Sequence, residues 1–157
     1  MFMNEKTRPG LGELLRYVGE LVEQGSEDRY RTLGLDYRAR YTPVIRALSA
    51  GAETVTEIVA RSHLTQGAIS QSVALMAKDG LIRHHSLGDG RKNGIHFTPK
   101  GRNLVAKLQP HWDVIFRAIE TLESETGFPL LRGLEETAKA LEKKGFAERL
   151  READGER

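Results

Sequence analysis

Residues 65–100 constrain the fold of this chain most strongly, because a short helical pattern there runs directly into a hairpin pattern. The hydroxyl of Thr65 can cap the start of a helix that extends to about Lys78. Apolar residues recur within it at spacings of three and four, at Ile69, Val73 and Met76, which predicts one buried face. The opposite face is short and polar, and its first two turns carry Gln66, Gly67, Ala68, Ser70 and Gln71.

A second, shorter helix is predicted immediately before this one. Thr54 and Glu57 have the spacing of a capping box, which marks a helix start. Ile58 and Val59 then supply an apolar face, and a turn near residues 62–64 leads to Thr65. Two short helices joined this tightly are typical of a helix-turn-helix, in which the first helix braces the second across the DNA backbone.

A β-hairpin is predicted after the longer helix. Gly80 ends that helix, residues 81–85 begin a strand, and residues 95–98 alternate with a period of two. Between the strands stand Gly88, Asp89, Gly90, Arg91 and Lys92. The Asp-Gly pair suits a hairpin turn, and the two adjacent cations would lie at its exposed tip, where phosphate or a narrow minor groove attracts them. A merely solvated hairpin tip is the alternative interpretation.

The dimensions of the longer helix fit double-stranded DNA. It would be roughly 20 Å long and about 10–12 Å wide, and the major groove is about 12 Å wide. Short amide and hydroxyl side chains on its exposed face can form hydrogen bonds with base edges. The pattern therefore favours a protein that reads DNA with this helix.

These segments resemble the MarR (multiple antibiotic resistance regulator) family of transcription factors. The resemblance is carried by residues 64–71 (LTQGAISQ), Lys78-Asp79-Gly80-Leu81-Ile82, Asp89-Gly90-Arg91 and Phe97-Thr98-Pro99-Lys100-Gly101-Arg102. It implies a mainly α (α+β) fold: a winged helix-turn-helix with a small β-hairpin wing and long N- and C-terminal dimerisation helices. We accordingly divide one MarR-like domain, residues 1–157, into a DNA-binding module, 52–102, and helical dimerisation regions, 10–26 and 103–152.

The resemblance also implies roles for individual residues. The major-groove contacts would be Thr65, Gln66, Ala68, Ser70 and Gln71. Arg91 would reach into the adjacent minor groove, with Asp89 holding it in position and Lys92 beside it at the tip. The sequence departs from the family pattern at His63, where Gly is common, and at Ser62 and Ser72, where apolar residues are common. These departures predict looser packing of the helix pair.

Composition agrees with one domain that contacts nucleic acid. The chain has 157 residues, of which 39% are hydrophobic, and no cysteine, which excludes disulfides and Cys-ligated zinc. The net charge is only +2, but residues 54–103 carry seven Lys and Arg against three Asp and Glu. A charged fraction of 29%, with no apolar run approaching roughly 18 residues and no signal-peptide core, predicts a cytoplasmic protein without a membrane partner.

Amphipathic helices are predicted on both sides of the module. The N-terminal pattern consists of Leu11, Leu14, Leu15, Val18, Leu21 and Val22. A helix that starts near Pro99 and is expected to bend at Pro110, and a last segment from Pro129, carry further apolar stripes. This apolar surface exceeds the need of a small core, so we expect a homodimer on a pseudo-palindromic operator. A monomer with frayed ends is the alternative.

A further helix is predicted just before the module. Its apolar residues are Tyr37, Tyr41, Val44, Ile45 and Leu48. Gly51 would end it, and Pro43 would either kink it or mark its first turn.

Members of the resembled family commonly sense small aromatic or anionic molecules between the dimerisation helices and the winged module. The candidate lining residues here are Tyr37, Arg38, Tyr41, His63 and Trp112. Tyrosine and tryptophan at helical spacing are more often core residues than ligand contacts. A ligand would act by favouring a dimer whose two reading helices are wrongly spaced.

Three other functional classes give different expectations. A metal-responsive regulator could use His63, His84, His85, Asp89 and His96, although no His-x-x-x-His pair occurs and adjacent strand histidines point to opposite faces. A winged helix can also serve protein contacts without DNA. An enzyme is not expected, because the sequence has no phosphate loop, nucleophile elbow or zinc-protease helix. We predict no cofactor and no metal ligand.

Overall fold

The computed structural model describes residues 7–88 and 93–155. The elements run in the order α1 (Leu11–Thr32), a 3₁₀ turn (Ala39–Tyr41), α2 (Thr42–Ser49), α3 (Val55–Ala60), α4 (Gln66–Lys78), β1 (Ile82–Ser86), β2 (Asn93–Phe97), α5 (Pro99–Thr126), α6 (Leu130–Lys143) and α7 (Phe146–Ala153). The expected fold, mainly helical with one small hairpin, is confirmed. The chain divides into two compact units, Met1–Ala106 and Lys107–Arg157, with the division inside α5.

Helix α1 is longer than its apolar pattern predicts. The apolar stripe ends at Val22, yet the helix continues to Thr32. The positive charges of Arg29 and Arg31 in its last turn stabilise the negative end of the helix dipole. Gly34 follows with a φ of 65° and turns the chain. Tyr30 is the buried residue of this helix, whereas all six apolar residues of the N-terminal pattern are exposed.

Three buried tyrosine rings, which we call the tyrosine cluster, form one part of the core of the first unit. Tyr30 and Tyr37 meet edge to face with ring centroids 4.5 Å apart, and Tyr37 meets Tyr41 at 6.2 Å. Tyr41 is completely buried, and further buried side chains from α2 to β1 are Ile45, Ile58, Ile69, Met76 and Ile82. Pro43 lies in the first turn of α2, where its ring is compatible with helical backbone.

The helix pair forms as the capping residues predict, with one difference. The Glu57 amide donates to Oγ1 of Thr54 at 3.2 Å, as in a capping box. The Glu57 carboxylate, however, accepts from the Glu53 amide at 2.6 Å, one residue before the cap. Glu53 also ties the hairpin to this helix, because its carbonyl accepts from the Ile95 amide at 2.7 Å.

The hairpin pairs β1 and β2 antiparallel, with Ile82 opposite Phe97 and Ser86 opposite Asn93. Gly80, at a φ of 75°, provides the reversal between α4 and β1. The hydroxyl of Thr98 donates to the Gly80 carbonyl at 2.6 Å and accepts from the Gly101 amide at 3.0 Å. The side chain of Thr98 therefore connects the start of α5 to the end of α4 by hydrogen bonds.

Gly101 is required by a close approach of two backbone segments. A Cβ atom at this position would lie 2.0 Å from the carbonyl oxygen of Leu81. Only glycine lets the first turn of α5 pack against the residue that precedes β1. Pro110, farther along, lies inside α5.

The second unit contains the C-terminal part of α5 with α6 and α7. Gly127, at a φ of 69°, follows α5, and Gly145 is the N-cap of α7. Helices α6 and α7 have no buried residue. Large apolar side chains remain exposed in this unit at Phe116, Leu122, Phe128, Leu131, Leu134, Leu141, Phe146 and Leu150. Within residues 7–88 and 93–155, no helix is long and apolar enough to cross a membrane.

Candidate nucleic-acid interface

Helix α4, which we call the reading helix, begins as the sequence predicts. Thr65 is its N-cap, and the hydroxyl oxygen of Thr65 accepts from the Ala68 amide at 3.1 Å. Ile69, Val73 and Met76 are buried, as their spacing predicts. The exposed residues on the other side, which we call the reading face, are Gln66, Gly67, Ser70, Gln71 and Ala74. Ala68 is partly buried between the two sides.

Arg40 reaches the reading helix from the 3₁₀ turn before α2. Its Nη2 donates to Oε1 of Gln71 at 3.0 Å, and its Nε donates to Oγ of Ser72 at 3.3 Å. Ser72 is only 2% exposed, so its hydroxyl needs a protein partner. Ser72, which stands where the family commonly has an apolar residue, is thus supplied with a hydrogen-bond donor by the guanidinium of Arg40.

Tyr41, the next residue, contacts the other end of the reading helix. Its hydroxyl donates to Oδ2 of Asp79 at 2.7 Å. Burial, then the hydrogen bond to Asp79 and the charge of that carboxylate, raise the pKa of Tyr41 to about 12. The backbone carbonyl of Asp79 in addition accepts a hydrogen bond from Nζ of Lys100 at 2.8 Å. The reading helix is consequently held near its middle and at its end.

The described part of the hairpin places three side chains with nitrogen groups on one face. Register puts Arg83 opposite His96 and His85 opposite Gly94, and all four positions share a face. The His85 and His96 rings approach at Nδ1 to 2.8 Å, so one Nδ1 donates and the other accepts. The small size of Gly94 permits this pairing, because a Cβ there would lie 2.4 Å from Nε2 of His85.

The tip of the hairpin, with Asp89, Gly90, Arg91 and Lys92, lies outside the described residues. Its assignment to DNA contact stays a prediction from the sequence.

Only part of the histidine set comes together. His85 and His96 are in contact, whereas His84 lies on the opposite face of the hairpin. Among the described residues, no three His, Asp or Glu side chains are grouped closely enough to hold a metal ion. Asp89, the fifth candidate ligand, is not described.

The candidate ligand-contacting residues have different environments. Tyr37 and Tyr41 are buried in the tyrosine cluster, and burial raises the pKa of Tyr37. Arg38 and His63 are exposed in the first unit, and Trp112 belongs to the second unit. For the two tyrosines the structure gives a role in the core, and their contact with a ligand stays a prediction.

Comparison with known proteins shows a resemblance to one family. Residues 33–92 match the sequence model of the MarR family. This segment of the chain is similar to that family. No curated protein sequence matches the chain. The match covers the 3₁₀ turn, α2, the helix pair and the first strand of the hairpin. Members of the family are transcriptional regulators rather than enzymes.

Three solved structures of other proteins have a similar fold. The M. tuberculosis transcriptional regulator MosR, in complex with DNA, has a TM-score of 0.70 at 21% identity, over 86% of this chain and 98% of that one. S. aureus MepR, also a DNA complex, has a TM-score of 0.67 at 15% identity, over 85% and 99%. Bordetella bronchiseptica BpsR has a TM-score of 0.58 at 19% identity, over 74% and 83%.

Sequence reasoning missed Arg40, which lies 31 residues before Gln71 and belongs to no periodic pattern. It also stopped the reading face one turn early, since Ala74 continues it. Ser72 was the available signal: a hydroxyl on the buried side of a helix implies a hydrogen-bond partner from elsewhere in the fold.

Proposed function

We propose that this MarR-like protein binds double-stranded DNA sequence-specifically as a homodimer and regulates transcription. The proposal rests chiefly on the reading helix, whose apolar side is buried while Gln66, Ser70 and Gln71 remain exposed. A thirteen-residue helix with one polar, small-residue face has the size and chemistry that the major groove accommodates. Thr65, Gln66, Ala68, Ser70 and Gln71 are the proposed contacts of this helix with DNA.

The hairpin would extend the interface to the neighbouring minor groove. Arg91 would enter it, Asp89 would orient Arg91, and Lys92 would contact phosphate. Arg83 and the histidine pair on the described face would add donors for the DNA backbone.

Dimerisation is supported by the exposed apolar side chains of the terminal helices. Leu14, Leu15 and Leu21 of α1 are each close to half exposed, and α6 and α7 bury no residue at all. Exposed apolar stripes on helices are unfavourable in water and are typically covered by a partner. A twofold pair would place two reading helices about 34 Å apart, which suits a pseudo-palindromic operator.

We further propose that the protein is a repressor in the cytoplasm, released from its operator by a small-molecule effector. In Bordetella bronchiseptica BpsR, DNA binding is regulated by 6-hydroxynicotinic acid, which supports an effector here by analogy of fold. Arg38, His63 and Trp112 are the candidate contacts that are at least partly accessible in this chain.

Selection of bound fragments from random duplexes tests the proposal directly and yields the operator. With six to ten phosphates contacted, affinity should drop on the order of 10³- to 10⁵-fold between about 50 and 200 mM salt. Arg91→Ala should weaken binding and reduce the salt slope, with Arg46→Ala, an exposed arginine on α2, as the control of equal charge.

Two alternatives predict different results in the same experiment. A winged helix that serves protein contacts would bind random duplex no better than a neutral protein of its size. A metal-responsive regulator would change its operator affinity when a strong chelator is added. The pairing of His85 with His96 keeps that second candidate open.

A further inference from the structure

We propose that Arg40 determines DNA specificity by fixing the side-chain amide of Gln71, so that the reading helix selects guanine at the base pair facing Gln71. This inference rests on the DNA-binding function proposed above and adds a positioning residue to it. It starts from the two hydrogen bonds by which one guanidinium bridges Gln71 and the buried Ser72.

The bond to Arg40 settles which end of the Gln71 amide faces the protein. A guanidinium has only donors, so the atom 3.0 Å from Nη2 must be the amide oxygen. The amide nitrogen, with its two N–H donors, is therefore the free end of an exposed side chain. Gln71 is presented to a ligand as a donor.

The orientation of this amide distinguishes between the bases. A glutamine that reads adenine turns both its oxygen and its nitrogen to the base, to accept from N6 and donate to N7. Here the oxygen already accepts from Arg40, which holds it towards the protein and disfavours that paired contact. Guanine offers two acceptors, N7 and O6, in the major groove, and the neighbouring positive charge of Arg40 favours the same acceptors.

Arg40 is well placed to act as a fixed support. The amide of the preceding residue, Ala39, donates to Oε1 of Glu27 in α1 at 2.8 Å. The following residue, Tyr41, is completely buried and bonded to Asp79. The guanidinium itself is anchored on Ser72, whose side chain cannot move away from a packed interior.

The first test needs no DNA. Side-chain ¹⁵N relaxation of the full chain would report the order of the Gln71 amide, assigned by the signal that Gln71→Ala removes. In Arg40→Met the order parameter should fall into the flexible range, below about 0.6, while Arg46→Met should leave it unchanged. An equally ordered amide in Arg40→Met would overturn the proposal.

The second test measures discrimination on the selected operator. Gln71→Ala identifies the base pair read by Gln71. At that pair the wild type should prefer guanine over adenine, and Arg40→Met should reduce this ratio by about fivefold or more. Arg46→Met should preserve the ratio. A ratio that Arg40→Met leaves intact contradicts the inference.

Arg40→Lys separates geometry from charge and serves as the second variant should Arg40→Met unfold. Lysine keeps the charge but cannot bridge Gln71 and Ser72 as a fork. We expect discrimination to fall as in Arg40→Met, and full discrimination in Arg40→Lys would show that only the charge matters. If the wild type prefers no DNA sequence, the proposed function is wrong, and Gln71 then reads no base. The relaxation data would still show separately whether Arg40 orders the Gln71 amide.

Discussion

The hydroxyl of Tyr41 donates a 2.7 Å hydrogen bond to Oδ2 of Asp79, and this bond joins the 3₁₀ turn before α2 to the C-terminal end of the reading helix. Tyr41 has no exposed surface, so water cannot replace the bond if it is removed. Because Arg40 and Tyr41 are adjacent, the same turn contacts the reading helix at two points about two helical turns apart.

Removing the Tyr41 hydroxyl should destabilise the fold. We expect Tyr41→Phe to lower the free energy of unfolding by about 1.5–3 kcal/mol, the range for hydrogen bonds to charged groups. Tyr17→Phe is the control, since Tyr17 lies on the exposed surface of α1. Equilibrium denaturation in urea measures both variants, and equal stability of the two would contradict a structural role for this bond.

Stability should decrease in strongly alkaline solution. The pKa of Tyr41 is raised from 10.0 to about 12, so the folded state holds a proton that the unfolded state releases earlier. The resulting stabilisation is complete below about pH 10 and is lost as the pH rises through about 12. Burial also raises the pKa values of Tyr30 and Tyr37, which add in the same direction.

Denaturant unfolding across this pH range checks the expectation. The free energy of unfolding should fall less steeply in Tyr41→Phe than in the wild type, because one of the three buried phenols no longer titrates. A slope unaffected by the substitution would rule out Tyr41 as a source of the pH dependence.

Gly101→Ala should be strongly destabilising. The added Cβ would lie 2.0 Å from the Leu81 carbonyl oxygen, an atom that moves only with the backbone. We expect a loss of about 3 kcal/mol, the upper part of the usual range for overpacking. In the control Gly67→Ala, the new Cβ would lie 4.0 Å from the nearest atom, Oγ1 of Thr65, and stability should stay level or rise by up to about 1 kcal/mol. Thermal unfolding compares the two.

Leu21→Glu should weaken self-association without unfolding the chain. Leu21 is 52% exposed on α1, so a charge there meets water in a single copy but apolar surface in the proposed dimer. Leu33→Glu, at a residue of similar exposure beyond the end of α1, is the control. Sedimentation equilibrium should show two copies for the wild type and control and a shift towards one copy for Leu21→Glu. An association constant unchanged by Leu21→Glu would argue against α1 in the interface.

Local sequence rules predicted the helix pair well because its ends are determined by neighbouring residues. Thr54 and Thr65 act as N-caps, and Gly80 reverses the chain at a positive φ. Each of these features depends on hydrogen bonds or backbone angles within a few residues. The buried face of the reading helix followed from its periodicity for the same reason.

The features that were missed depend on residues distant in the sequence. Nothing within ten residues of Arg40 reveals its bonds to Gln71 and Ser72. The pairing of His85 with His96 requires the strand register, which places both on one face across Gly94. The extension of α1 beyond its apolar stripe is also invisible to periodicity, since its last turns carry mainly polar and charged residues.

The hydrogen bond from the Ile95 amide to the Glu53 carbonyl gives the hairpin a mechanical link to the helix pair. This bond couples the second strand to the loop before α3, so we expect the base of the hairpin to move together with the helix pair. Amide hydrogen exchange at Ile95 would then be as slow as in the helices beneath it.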